Sequence, residues 1–178
     1  MKLKTSPVIH TKRLILRAIE EKDRESALDL FTNEEVGKTY MLPAFQAREE
    51  ANPLFEKIMG LSALETRFVY GISLNGKLIG LLNDVEIADG RIELGYAVHP
   101  DFKGRGYATE ALTAGLDILF KAGISVVETG AFEENLASIR VMEKSGMTRI
   151  DKEDSIEYRG KTHRCVYYQK RAQNPSKE

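Results

Sequence analysis

The stretch from Arg91 to Leu119 constrains this chain most, because its residue types call for a strand, a turn and a helix in that order. Alternation with period two puts Ile92, Leu94, Tyr96 and Val98 on one strand face and Arg91, Glu93, Gly95 and Ala97 on the other. Pro100 ends the ladder, having no N–H to donate. Gly104 and Gly106 follow, and then Ala108, Ala111, Leu112, Gly115, Leu116 and Leu119 recur at helical spacing. The start of such a helix leaves backbone N–H groups without intrahelical partners, and the dipole adds partial positive charge there. Phosphate is a natural ligand of that end. Glycines in the turn permit positive φ, or close approach where a Cβ would hold the phosphate off.

Three glycine motifs compete for this turn. A nucleotide P-loop reads GxxxxGK[ST], and neither Gly104 nor Gly106 is followed by Lys-Ser or Lys-Thr. The dinucleotide fingerprint GxGxxG fits better as Gly104-x-Gly106-x-x-Thr109, with Glu128 at a suitable distance after an apolar strand. Its third glycine is a threonine, however, and His99 to Lys103 separate strand from glycine where that motif needs a tight turn.

The third motif carries a resemblance. Lys103-Gly104-Arg105-Gly106-Tyr107-Ala108 resembles the pyrophosphate loop Q/R-x-x-G-x-G/A of the GNAT acetyltransferases, with Lys in the first place as a departure. The wider string GYAVHPDFKGRGYATEAL is similar to the RimJ/RimL-like branch, as are HTKRLILRAIEEKD (His10 to Asp23) and ENLASIRVMEKSGM (Glu134 to Met147). The resemblance implies an α/β (α+β) chain with the GNAT fold. That is a mixed, mostly antiparallel twisted sheet with one splayed parallel pair and helices on both faces. It implies that acetyl-CoA lies in the splay, contacting Tyr96, Val98, Lys103, Gly104, Arg105, Gly106, Tyr107, Ala108, Thr109 and Asn135. Backbone N–H groups near Tyr96 to Val98 would polarise the thioester carbonyl. The implied activity is acetyl transfer to a primary amine by direct attack, the acceptor being a protein or peptide N-terminal α-amine or a small molecule such as a drug or polyamine. A non-catalytic acyl-CoA-binding module on the same scaffold is the alternative from another class.

Each site residue has a functional and a plain reading. Glu93 shares its face with the small residues Gly95 and Ala97, so it is either a half-buried general base with a raised pKa or one half of a structural salt bridge. Asn135 and Ser138 are either a pantetheine contact and a proton donor to the leaving thiolate, as the resemblance implies, or a plain helix cap. Lys103 offers a phosphate a flexible point charge rather than a planar fork. Arg105 reaches phosphate or is solvated, and Tyr107 stacks on the cofactor or packs on the sheet. His99 reads as a turn residue and His10 as part of the first strand. His163 stands where the branch often has His-Asp, but Arg164 replaces the acid. Glu49, Glu50 and Glu56 would either make an acidic acceptor pocket for a polycation or form a solvated helix face. Three scattered histidines and one cysteine give no metal-ligand spacing, so no metal is expected.

The rest of the chain reads as one domain, residues 1–178 with a core about 8–170. Residues 1–7 are expected to fray, Thr11 to Ala18 to form a first strand, and Asp23 to cap a helix carrying Ala27, Leu28, Leu30 and Phe31. Residues 33–47 read as irregular. Arg48 to Leu61 reads as a helix whose regular part starts with Asn52 capping and Pro53 at the first position. Asn75-Gly76 marks a hairpin between Phe68–Leu74 and Lys77–Glu86. Gly123 closes the loop helix, Ser125 to Ala131 forms a strand, and Leu136, Ile139 and Met142 face inward from the next helix, which Gly146 ends. Met147–Asp154 and Thr162–Lys170 form a closing hairpin across Arg159-Gly160, followed by a disordered tail, RAQNPSKE. At 178 residues, 42% hydrophobic and with net charge −1, the chain can bury its own core and has no bulk electrostatic attraction for nucleic acid or a membrane surface. With Cys165 as the one cysteine, in an apolar strand, no apolar leader and no long apolar run, a cytoplasmic protein is expected, as a monomer or homodimer.

Overall fold

The computed structural model describes residues 2–3 and 7–173. Its strands are β1 (Val8–His10), β2 (Ile15–Arg17), β3 (Val69–Leu74), β4 (Lys77–Ala88), β5 (Arg91–Val98), β6 (Val126–Phe132), β7 (Thr148–Tyr158) and β8 (Lys161–Arg171). The helices are α1 (Arg24–Phe31), α2 (Glu34–Gly37), α3 (Asn52–Ser62), α4 (Tyr107–Lys121) and α5 (Leu136–Lys144). The strands make one sheet in the order β1-β2-β3-β4-β5-β6-β8-β7. β5 and β6 run parallel, and the other neighbours are antiparallel.

Local chemistry explains most of this order. Asn75 and Gly76 both take positive φ (50° and 83°), as do Arg159 and Gly160 (50° and 73°). Two successive positive φ values give a turn whose twist matches the flanking strands, which fixes both hairpins. Gly106 (φ 80°) starts α4 and Gly123 (φ 91°) follows its C-cap. One sheet face packs α4 and α5 through Leu112, Leu116, Leu119 and Met142 against Tyr70, Ile92 and Leu94. The other packs α1 and α3 through Leu28, Phe31 and Phe55 against Ile19, Leu78, Leu81 and Ala97. Each fully buried side chain of this size contributes roughly 1.5–3 kcal/mol over leaving it in water.

The parallel pair splays. Register runs from Arg91↔Val126 to Leu94↔Thr129 and then stops, although β5 continues to Val98 and β6 to Phe132. Beyond that point β5 pairs with β4 and β6 with β8, so the two inner edges face a wedge.

Several expectations need correction. Leu3 does not fray: it is buried in the core and its N–H donates to the Glu65 carbonyl at 2.9 Å. Thr11 to Ala18 is not one strand, because Thr11 turns the chain, and β1 and β2 form a small hairpin around it. Asp23 stands at the N-cap position of α1, but its side chain makes no capping bond there. It ends a 3-10 turn, buried, where its carboxylate accepts from the Glu20 N–H and binds Arg17 at 2.7 Å. Residues 33–47 include α2, which Asn33 caps. Asn52 lies inside α3, which enters from a 3-10 turn, and its side chain bonds Arg24 instead of capping. Leu136, at the first position of α5, is exposed rather than facing inward. Arg171 belongs to β8 and Ala172 donates to the Ser125 carbonyl; the rest of the expected tail beyond residue 173 lies outside the described residues. Among the described residues no helix is long and apolar enough to cross a membrane.

Candidate functional site

The wedge between β5 and β6 opens into a cavity of about 630 Å³. On its helical side lie Lys103, Gly104, Gly106, Tyr107, Ala108 and Thr109 of the loop and first turn of α4, with Asn135, Ser138, Arg140 and Lys144 of α5. On the other side lie Tyr40, Met41, Asn83, Val85, Glu93, Ile156 and Tyr167. Tyr96 and Val98 line it from β5. Arg105 does not: its side chain is exposed, and its carbonyl accepts from Arg13 Nη1 at 2.8 Å.

The loop is held from the N-terminal hairpin. Glu110 Oε1 accepts from Thr11 Oγ1 and from the Arg13 N–H, each at 2.7 Å, and Glu110 Oε2 accepts from Arg13 Nε at 2.7 Å. The Arg13 guanidinium also lies over the Tyr107 ring, 4.5 Å from its centroid. A carboxylate in the first helical turn suits the dipole but would repel an anion there; here its charge is taken up by Arg13. Gly104 and Gly106 (φ 74° and 80°) leave the α4 N–H groups uncovered by any Cβ. Lys103, Arg140 and Lys144 make this end of the cavity positive, and with the unpaired inner edges of β5 and β6 they suit a long ligand with phosphates at one end and amides along it.

Asn135 caps α5, its Oδ1 accepting from the Ser138 N–H at 3.2 Å, so the plain reading of that residue holds alongside its place on the cavity wall. Ser138 Oγ lies 2.7 Å from the Tyr96 hydroxyl, and both residues line the cavity. Burial pushes the Tyr96 phenol up to about 12, partly opposed by the Ser138 bond, so it stays protonated at neutral pH. Thr129, the last residue of β6 paired with β5, borders the cavity with a buried hydroxyl that has no hydrogen-bond partner in the structure.

Glu93 combines both of its readings. It is mostly buried and sits 3.7 Å from Lys152 Nζ. That ammonium is nearer to Glu128, at 3.3 Å, so Glu93 has only a share of it. Burial raises the Glu93 pKa, Lys152 opposes the rise, and Glu128 and Glu86 reinforce it. The carboxylate is thereby made a better proton acceptor than an exposed one. Gly95, two residues on, faces Val85, Tyr40 and Asn83.

The remaining candidates are structural. His99 Nδ1 accepts from the Asp101 N–H, as a turn residue would. His163 stacks on Phe132 and pairs with Glu134 at 2.7 Å, while Arg164 pairs with Glu153. Cys165 is buried and its thiol pKa raised by that burial. Glu50 accepts from the Gln46 N–H and Glu56 binds Arg24; neither these nor Glu49 line the cavity. Sequence reasoning missed Arg13 and Glu110, which lie 97 positions apart, and the hydroxyl role of Tyr96. It also missed Arg140 and Lys144, whose i,i+4 spacing on α5 was a usable signal.

Residues 13–148 match the family model described as an acetyltransferase (GNAT) domain. Among curated proteins the chain is similar to an uncharacterized N-acetyltransferase, YoaA, of Bacillus subtilis (strain 168), 30% identical over 148 residues that cover 80% of this chain and 84% of that protein. Among solved structures it is similar to a GNAT-family acetyltransferase from Bacillus anthracis, with TM-score 0.81, 26% identity, and coverage of 93% and 98% of the two chains. The fold is also that of RimL, the ribosomal L7/L12 alpha-N-protein acetyltransferase, solved in complex with coenzyme A, with TM-score 0.81, 21% identity and coverage of 92% and 97%.

Proposed function

This chain belongs to the GNAT acetyltransferase family and is an acetyltransferase; on that footing we propose that it moves the acetyl group of acetyl-CoA onto a primary amine, with Glu93 accepting the amine proton and Ser138, backed by Tyr96, donating to the leaving sulfur. The observation that carries this reading is the splayed wedge, with a base candidate on one wall and a hydroxyl pair on the other. Lys103, Arg140, Lys144 and the α4 N–H groups would hold the phosphates, and the open edges of β5 and β6 would pair the amides of the pantetheine arm. N–H groups near Tyr96 to Val98 would polarise the thioester carbonyl.

The amine nitrogen attacks the carbonyl carbon, the C–N bond forms, the C–S bond breaks, and Glu93 takes the proton that nitrogen loses, directly or through water. Tyr96 fits the role of hydrogen-bond donor rather than full acid. Transfer from a phenol near 12 to a thiolate of pKa about 8.5 would run uphill, so the hydroxyl pair stabilises the departing charge and solvent supplies the final proton. A free α-amine (pKa about 7.8) presents its neutral form far more often than a lysine (about 10.4). A carboxylate base of moderately raised pKa therefore matches an α-amine or another weakly basic amine better. RimL, which shares this fold, is an alpha-N-protein acetyltransferase, and that likeness supports a protein or peptide N-terminus as the acceptor.

The test is CoA thiol release from acetyl-CoA with pooled amines, for wild type and Glu93→Gln from pH 6 to 9. Loss of about 10²–10⁴ in kcat/KM, with the acidic limb of the pH profile abolished, is expected of a general base. Near-wild-type rates across that range would remove Glu93 from the role.

A further inference from the structure

The cavity wall away from the helices carries information about the acceptor. Among the described residues Glu93 is the only carboxylate that lines the cavity. Three other polar side chains of this wall, Tyr40, Asn83 and Tyr167, are already hydrogen-bonded within the protein. Tyr40 donates to Asn83 Oδ1 at 2.6 Å, Asn83 Nδ2 donates to the Asp84 carbonyl, and Tyr167 donates to Asp154 at 2.8 Å. The cation nearest Glu93 is Lys152, at 3.7 Å, and Arg91 also acts on it from the same strand.

Apart from the hydroxyls of Thr39 and Thr129, the remainder of the wall is apolar. The β4–β5 register slips between Asp84 and Glu86, so Val85 is an extra residue that the bulge turns toward the cavity mouth. Val85 is 58% exposed and Met41 53%, two large apolar side chains left open beside Tyr40 and Ile156. Exposed apolar groups grouped at a cavity mouth mark a contact surface for an apolar partner.

We propose that the acceptor is a monoamine carried on an apolar or aromatic body, whose ammonium meets Glu93 while the body lies against Val85, Met41 and Tyr40. A polyamine is the poorer substrate, since the two carboxylates nearest Glu93, Glu86 and Glu128, already face Arg91 and Lys152, and a second ammonium would lie against the apolar wall. This inference rests on the transferase reading. The chemistry is shared by a free arylalkylamine and by a peptide that begins with an apolar residue.

The experiment compares kcat/KM at saturating acetyl-CoA for phenethylamine, a tripeptide beginning with phenylalanine, and spermidine, with wild type and Val85→Glu. At least one apolar arm should exceed spermidine by about tenfold or more, a discrimination within reach of a single apolar contact region. Activity of phenethylamine identifies a free amine as the source, and activity of the tripeptide a chain N-terminus. Val85→Glu should shrink the ratio about tenfold, through lower apolar-arm rates and a higher spermidine rate. Spermidine matching or exceeding both apolar arms overturns the proposal, as does an unchanged ratio in Val85→Glu. An acetyl-CoA thermal shift on both proteins separates the two failures. Cofactor binding without thiol release to any amine overturns the transferase reading and this inference with it. Transfer that favours spermidine overturns the inference and leaves the transferase reading standing.

Discussion

Glu110→Ala removes an acceptor that three donors share, Thr11 Oγ1, the Arg13 N–H and Arg13 Nε. A hydrogen bond to a charged group contributes about 1.5–3 kcal/mol. Arg13 is 39% exposed at its side chain and Glu110 15%, so water screens the ion pair and places it at the low end. The three bonds are also coupled and do not add fully. The expected loss is therefore about 2–4 kcal/mol in total. At roughly 2–4 °C per kcal/mol for a domain of this size, Tm falls by about 4–16 °C. Because Arg13 also holds the Arg105 carbonyl and covers Tyr107, the glycine loop loosens with it. KM for acetyl-CoA should rise several-fold, while kcat changes little because Glu93 and Ser138 are untouched. Glu110→Gln, which keeps an acceptor oxygen but loses the ion pair, should show about half the loss in Tm.

The pH dependence carries a sign. Burial would raise the Glu110 pKa, but the bonds from Thr11 and Arg13 outweigh it and the net shift is downward. A depressed folded-state pKa stabilises above the unfolded value of about 4.3 and loses that contribution as pH falls through the folded value. The Tm difference between wild type and Glu110→Ala should thus be full above about pH 5 and shrink in acid. Thermal melts at pH 7 and pH 3 with initial rates at pH 7 check both parts. Unchanged Tm and KM at pH 7, or a penalty undiminished at pH 3, would refute the reasoning.

Three further outcomes follow from the same contacts. Gly80→Ala builds a Cβ into the Ala97 carbonyl oxygen of the neighbouring strand, so chemical denaturation should show a loss of about 1–3 kcal/mol or more; an unchanged midpoint would mean the β4–β5 approach is not this close. Ser138→Ala and Tyr96→Phe should each lower kcat about tenfold with KM for acetyl-CoA little changed, and the double variant should be hardly worse than either, as a double-mutant cycle on two bonded hydroxyls requires. Thr129→Val removes a buried hydroxyl with no partner in the structure, so the melting temperature should hold or rise slightly, and a loss of about 1–2 kcal/mol would reveal a partner.

What the sequence made legible was local. Asn75-Gly76 and Arg159-Gly160 need positive φ at both residues, a demand written in residue type, and both hairpins form there. The strand, glycine turn and helix from Arg91 onward appear as expected, because period and punctuation agree. The candidate catalytic and cofactor-contact residues singled out in the sequence all line one cavity except Arg105, whose side chain is exposed. What stayed hidden was relational. The Val85 bulge follows a continuous buried run from Leu78 to Leu82, where alternation has already been lost. Arg13 and Glu110 meet only because the fold brings the turn between β1 and β2 to the first turn of α4, which neither local stretch encodes. Leu136 misled for a similar reason: its helical spacing matches Ile139 and Met142, but at the first position of α5 it is left exposed.

The central claim is that the wedge between β5 and β6, with the glycine loop at its mouth, is an acetyl-CoA site. A thermal-shift titration with acetyl-CoA, CoA and NAD in parallel tests it most directly. A ligand at a hundredfold its Kd adds about 2.7 kcal/mol, which for a domain of this size is a rise of roughly 5–10 °C. The account predicts that rise with both CoA species and none with NAD. A rise with NAD alone, or none with any of the three, would contradict it.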